Sequence, residues 1–314
     1  MENAIKDMAR SLGFTACGIA KAAPVRDAMQ GCLRKWVAEG RHGDMGYMER
    51  NMEKRLDPTQ LVEGCQSLIV VAMNYFPPAE ISEDEYQIAY YAYGHDYHDV
   101  LRTRLASLLA WLNEQRGLDN TKATNLAHAQ RIFVDTAPLL ERYWAEQAGL
   151  GWTGRNHQLI IPEAGSYFLL GVLTTDHVLH PDTPMENRCG DCHRCLEACP
   201  TGALDKEGSF DARRCLSYLT IEQQSAIPSD VYDAIGHRIY GCDTCQKSCP
   251  WNRFAQPTTE KTFHPSDKLL QMTRPAWQSL TPEQFEALFA GTAIHRIGYQ
   301  ALCRNIHAAK GNED

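Results

Sequence analysis

Twelve cysteines stand in this chain of 314 residues, and most of them are spaced for chemistry. Cys189, Cys192, Cys195 and Cys199 lie in CGDCHRCLEACP, Cys242, Cys245 and Cys249 lie in GCDTCQKSCP, and Cys215 falls between the two runs. The first run has the spacing C-x2-C-x2-C-x3-C-P of bacterial two-cluster modules, where three close cysteines hold one 4Fe-4S cluster and the fourth, before proline, reaches the other. The second run is one cysteine short: Ile239 stands where the first ligand of a repeat would fall, and Cys215 can fill that gap. By the cross-over rule, Cys189, Cys192, Cys195 and Cys249 form one ligand set, and Cys199, Cys215, Cys242 and Cys245 the other. Pro200 and Pro250 turn the chain after each fourth cysteine. Zinc prefers tetrahedral sites built from CxxC pairs, and disulfides do not persist in a reducing cytosol. Neither explains the run as well as iron and sulfide, so this chain must move electrons.

The elements around the cysteines must position them. Residues 1–180 alternate strand-like and helix-like segments. FTACGIA (14–20), SLIVVAM (67–73), RIFVD (131–135), QLII (158–161) and YFLLGVLTT (167–175) are short, β-branched or aromatic, and bounded by turn residues. Val100, Leu101, Leu105, Leu108, Leu109 and Leu112 recur at helical spacing. That alternation predicts an α/β domain. The turn-rich link HPDTPMENR (180–188) leads into a cysteine segment, 181–255, with helices expected around 213–219 and 229–239. Residues 256–314 read as helices: Thr281 caps TPEQFEALFA, and AIHRIGYQALCRNIHAAKGN forms another, a pair resembling a lone HEAT-type unit.

With 44% hydrophobic and 22% charged residues the composition is that of an ordinary soluble protein. The N-terminus lacks an apolar signal region, and no stretch approaches the roughly 18 apolar residues of a spanning helix. A cytoplasmic monomer is expected. Cys17, Cys32, Cys65 and Cys303 read as small buried hydrophobes. A net charge of −8 argues against general nucleic-acid affinity. A local patch is still compatible with it: Arg296, Arg304 and Lys310 fall in a C-terminal stretch, 287–312, without an acidic residue. Such an excess is more often a solvated helix face.

The larger N-terminal domain needs a task of its own. Its most unusual stretch is VDTAPLLERYWAEQAGLGWTGRNHQLI, residues 134–160. Asp135 closes a strand where an α/β sheet normally presents its ligand crevice, or else caps the helix that follows. The glycine-rich GLGWTGRN suits close approach to a flat cofactor or phosphate, but neither GxGxxG nor a Walker pattern is present.

This stretch, with GDMGYMERNMEKRLDP (43–58), YAYGHDYHDVL (91–101) and the double cysteine run, resembles the epoxyqueuosine reductases, cobalamin-dependent enzymes of tRNA queuosine synthesis. The likeness spans essentially the whole chain, including LCRNIHAAKGN near its end. It implies a reductive-dehalogenase-like cobalamin domain (1–180), a ferredoxin-like α+β domain with two 4Fe-4S clusters (181–255) and a short HEAT-like helical segment (256–314). It implies reduction of the epoxide of epoxyqueuosine at the tRNA wobble position to an alkene with loss of water. Electrons from an external low-potential donor pass singly through the clusters and take cob(II)alamin to cob(I)alamin.

The likeness also makes Asp135 the proton donor to the opening epoxide, its acidity weakened by desolvation. It points to Arg55, His98, Arg142, Trp152, Asn156, Leu159, Ser166 and Leu170, with Asp135, around the cobalamin; for the tRNA, the charge excess offers Arg296, Arg304 and Lys310. A surface salt bridge for Arg55 and a satisfied polar side chain for His98 are the plainer readings. No DxHxxG motif marks a histidine as the lower cobalt ligand. Two rivals remain: a cobalamin-dependent reductive dehalogenase, against which the missing twin-arginine signal counts, and a non-catalytic ferredoxin-type carrier, against which the large α/β domain and Asp135 count.

Overall fold

The computed structural model describes residues 1–117, 129–205 and 208–310, with the side chain of Lys310 outside the description. Contact density divides the chain into two units whose segments interleave. The first comprises 1–39, 47–74 and 98–190, and the second 40–46, 75–97 and 191–314.

The first unit is built on a four-stranded sheet in the order Ala16–Lys21, Ser67–Asn74, Phe168–Thr175, Ile132–Phe133. All its pairings are antiparallel, with Val70 opposite Gly18 on one side and Val172 on the other. Ser67–Met73 is buried throughout because both faces of the sheet are covered. On one face Leu68, Val70, Ala72 and Val172 join a cluster with Trp144, Ala145 and Ala148 from helix Glu141–Gln147 and its end. On the other, helix Tyr97–Gln115 turns Leu101, Leu105, Leu108 and Leu112 inward. Two glycines permit this closeness: a Cβ on Gly18 would meet the Ala148 carbonyl oxygen at 2.0 Å, and one on Gly171 would meet Leu105 Cδ1 at 2.7 Å.

The expected strands therefore form, with two differences. Leu159–Ile160 pairs with Trp152–Thr153 in a separate hairpin. The sheet carries helices on both faces yet is antiparallel, so the crevice at the carboxyl ends of parallel strands does not account for the placement of Asp135.

In the second unit, short helices and turns surround a two-stranded parallel pair, Gln87–Ile88 with Arg238–Tyr240. The expected helix at 229–239 is thus a 3-10 turn and one helical turn, Tyr232–Ile235, ending in a strand. Thr281 does cap helix Pro282–Phe289, in a reciprocal capping box with Gln284. Phe289 stacks on Trp277, and Phe285 meets the edge of Tyr299 in helix Gly298–Lys310. Among the scattered cysteines Cys65 is buried while Cys32 is exposed. No helix among the described residues is long and apolar enough to cross a membrane.

Candidate functional site

Strand Ile132–Phe133 runs into a tight turn at Asp135. There φ is 58°, in the left-handed region that non-glycine residues rarely enter, and the Thr136 N–H donates back to the Val134 carbonyl at 2.6 Å. A side chain held in a sparsely populated backbone state is one the fold has gone out of its way to aim. The Asp135 carboxyl is 62% exposed, and His98 Nε2 stands 3.6 Å from its Oδ2. One helical turn on, Arg102 Nη2 donates to Thr136 Oγ1 at 3.0 Å. Positions i and i+4 of one helix therefore grip the turn together. The capping reading for Asp135 does not hold, because the N-cap of helix Glu141–Gln147 is Leu140 and carries no side-chain cap.

Three side chains of the first unit each carry one buried polar atom without a hydrogen-bond partner. Arg55 is only 6% exposed; its Nη2 donates to the Tyr47 carbonyl at 2.8 Å while its Nε meets nothing. It is not a surface salt bridge. Glu141 Oε1 and Trp144 Nε1 are likewise buried and unbonded. Burial first, and the neighbouring Asp135 charge second, push the Glu141 carboxyl up to about 7. Burial lowers the Arg55 guanidinium, with Glu141 acting against it.

Helix Glu141–Gln147 closes with the Leu150 N–H on Ala145 O and the Gly149 N–H on Glu146 O, which launches the chain into the hairpin. Arg142 Nη1 reaches the His157 carbonyl at the hairpin tip, at 3.1 Å. Asn156 is buried and its Oδ1 accepts from the Gln158 N–H. Trp152, Leu159 and Ser166 are buried and Leu170 is half-buried. All nine residues named for cobalamin thus belong to the first unit. Sequence reasoning missed the parts played by Arg102 and Glu141. Arg102 was signalled only by its i+4 spacing from His98.

The second unit gathers thiols. Cys195 and Cys245 sit within the short helices Arg194–Glu197 and Thr244–Lys247, and share an apolar pocket with Leu196, Leu204, Phe210 and Cys199. Cys215 and Cys249 are extended N-cap residues ahead of Leu216–Ile221 and Pro250–Phe254. Burial pushes Cys215 up to about 11, and the nearby Cys242 and Cys199 add to this. Cys245 is also raised well above the ordinary value, by burial and then by Cys242, Cys215, Asp243 and Cys195. Burial also opposes ionisation of Cys199, yet the N–H groups of Leu204, Thr201 and Ala203 pull its thiol below the ordinary value. Buried thiols of this kind stay protonated unless a cationic centre is bound to offset the thiolate charge. Cys189 is the penultimate residue of the first unit, its N–H on Asn187 Oδ1 at 2.9 Å.

The basic residues near the C-terminus divide. Arg296 is exposed. Arg304 directs its donors to Gln223, Ser225, Leu219 and Asn305 oxygens, which leaves none for a phosphate. The side chain of Lys310 lies outside the described residues.

Comparison with known proteins places this geometry. Residues 55–136 match a family model described as epoxyqueuosine reductase QueG, and residues 188–252 match a 4Fe-4S double cluster binding domain. An epoxyqueuosine reductase from Cellulophaga algicola is 38% identical over 306 residues, covering 98% of this chain and 97% of that protein. The crystal structure of an epoxyqueuosine reductase with an epoxyqueuosine-modified tRNA-Tyr stem loop is 30% identical. It matches with a TM-score of 0.85 over 98% of this chain and 80% of the other. The Bacillus subtilis enzyme, solved with its catalytic aspartate loop swung out of the active site, matches at 28% identity and a TM-score of 0.84, over 98% and 80% of the two chains. By identity, coverage and fold, the chain belongs to the epoxyqueuosine reductase family.

Proposed function

We propose that this chain reduces epoxyqueuosine in tRNA to queuosine with loss of water, and that Asp135 protonates the oxygen as the epoxide opens. The observation that carries the reading is the strained turn at Asp135, set beside His98 and in the same unit as the unbonded buried atoms of Arg55, Glu141 and Trp144. A buried polar atom with no protein partner is free to bond a bound group. Arg55, His98, Asp135, Arg142, Trp152, Asn156, Leu159, Ser166 and Leu170 would hold cobalamin, Arg55 and Arg142 with donors, Trp152 and the leucines with apolar surface. When bound, cobalamin supplies a strongly reducing cobalt centre that delivers electrons to carbon.

The residues themselves manage the proton and the geometry. His98 orients the Asp135 carboxyl, Arg102 anchors the turn through Thr136, and the half-buried Glu141 keeps a second carboxyl nearby. The reaction takes up two electrons and two protons per epoxide and releases one water. The Bacillus subtilis relative, whose catalytic aspartate loop swings, supports the role of the turn.

Cys189, Cys192, Cys195 and Cys249 would hold one 4Fe-4S cluster, and Cys199, Cys215, Cys242 and Cys245 the other. The second set rests on the spacing of the runs and on Cys215 and Cys242 being near neighbours. In functional terms, residues 1–180 bind cobalamin, 181–255 carry electrons from a low-potential donor, and 256–314 are a short HEAT-like segment that offers Arg296 to the tRNA. The chain works as a cytoplasmic monomer.

The test is anaerobic. Protein loaded with cobalamin, given a low-potential reductant and epoxyqueuosine-containing tRNA, should form queuosine measurable by nucleoside mass spectrometry. Absence of both a cobalamin spectrum and product would sink the proposal.

A further inference from the structure

Helix Gly298–Lys310 carries two adjacent side chains whose polar atoms are wholly committed. Asn305 is 0% exposed; its amide donates to the Thr220 carbonyl at 2.7 Å and the Ile239 carbonyl at 2.9 Å. Its own carbonyl oxygen accepts from Arg304 Nε at 3.1 Å and Nη2 at 2.9 Å. Arg304 sends its other donors to the carbonyls of Leu219 (3.2 Å), Gln223 (2.7 Å) and Ser225 (2.9 Å). The pair therefore takes up carbonyls left open at the end of helix Leu216–Ile221, where a helix has no partners of its own.

That helix begins at Cys215, and strand Arg238–Tyr240 runs straight into Cys242. Asn305 bridges the two by bonding one carbonyl from each. Thr220 adds a second tie: its hydroxyl donates to Leu216 O at 2.7 Å and accepts from the Gly241 N–H at 2.9 Å. Position 239, where a ferredoxin-like repeat would have its first cysteine, is instead a fully buried strand residue whose carbonyl serves this clamp.

Within a CxxC run the separation of ligands is set by a few residues of local backbone. Cys215 has no such neighbour and depends on tertiary structure for its distance to Cys242. We infer that Arg304 and Asn305 are the positioning residues of the second cluster, fixing the segment that starts at Cys215 against the one that ends at Cys242. This rests on the cysteine assignment proposed above.

The experiment measures iron, acid-labile sulfide and the EPR spectrum of reduced, anaerobically purified proteins: wild type, Cys215→Ala, Asn305→Ala and Arg304→Lys. Wild type should hold about eight iron per chain, as two four-iron clusters require. Asn305→Ala should fall to about half, matching Cys215→Ala, and lose one of the two cluster signals while still binding cobalamin. Arg304→Lys keeps the charge but not the fork. It should retain its iron yet release half of it to a chelator about ten-fold faster, the factor that one lost charged hydrogen bond supplies. Full iron and an unchanged release rate in Asn305→Ala, beside halved iron in Cys215→Ala, overturn the inference alone. Full iron in Cys215→Ala removes the assignment beneath it and the inference with it. Loss of both clusters and of cobalamin binding in Asn305→Ala, with Arg304→Lys releasing iron as wild type does, would show a general core residue and also overturn it.

Discussion

Around Asn305 each buried donor and acceptor has a partner, whereas in the unit that holds Asp135 the buried Arg55 Nε, Glu141 Oε1 and Trp144 Nε1 have none within the protein. The first network joins three elements, and removal of Asn305 strands the buried Thr220 and Ile239 carbonyls. The second is held open beside a turn with a left-handed aspartate. Both lie inside folded units, so burial alone does not distinguish scaffold from site. Satisfaction combined with the strained turn does: a complete network fixes a shape, whereas unbonded atoms alone also occur in the core, as at Trp277 Nε1.

The largest effect expected from breaking this contrast is at Asp135. Asp135→Asn keeps size and hydrogen bonding but has no proton to give, so turnover of epoxyqueuosine-tRNA should fall about 100- to 10,000-fold. Iron content and cobalamin binding should be unchanged. Near wild-type turnover in a loaded variant would return Asp135 to a structural role and move the search for the acid to Glu141 or His98.

Glu141 sharpens the same contrast through pH. Its carboxyl is raised from 4.5 to about 7. Between those values the folded protein holds a proton that the unfolded chain has released, so stability falls as pH rises through the window and stays lower above it. Glu141→Gln should remove that loss, making the variant more stable than wild type by on the order of 2 kcal/mol near pH 8 and equal to it near pH 4. Denaturant unfolding at the two pH values reads this directly. Parallel curves for the two proteins at both would show that Glu141 is not raised.

The smallest effect concerns tRNA. With Arg304 committed to the clamp, Arg296 is the exposed arginine of the C-terminal pair, and Arg296→Ala should lower the slope of log affinity against log salt by about 1. An unaltered slope would leave that face solvated only.

Much of the scaffold was legible. Strands such as SLIVVAM announce themselves by β-branched apolar runs, and the cap at Thr281 by residue type, while its reciprocal partner Gln284 emerges only in the structure. Strand direction was not legible, because a strand buried on both faces has no alternation to read and its partners are set by distant segments. Arg238–Tyr240 reads as the end of a helix in sequence because three residues carry too little pattern to declare a strand. The basic C-terminal stretch misled for a similar reason. Arg304 looks like a phosphate binder in sequence, yet its partners Leu219, Gln223 and Ser225 lie far upstream and contribute backbone carbonyls that no sequence motif displays. Asp135 was found through resemblance. The crevice argument that also pointed to it belongs to parallel sheets, and this sheet is antiparallel.

The strand that leads to Asp135 is two residues long and lies at the sheet's edge, bonded only through Phe168–Thr175, while Ser67–Asn74 is bonded along both sides. Breathing of the fold is therefore graded. Amides of Ser67–Asn74 exchange with solvent only when the whole unit opens, but Ile132 and Phe133 detach through a local fluctuation that leaves the other three strands intact. Asp135 thus follows the shortest strand of the sheet, and its turn owes its hold to His98 and Arg102 rather than to the strand ladder.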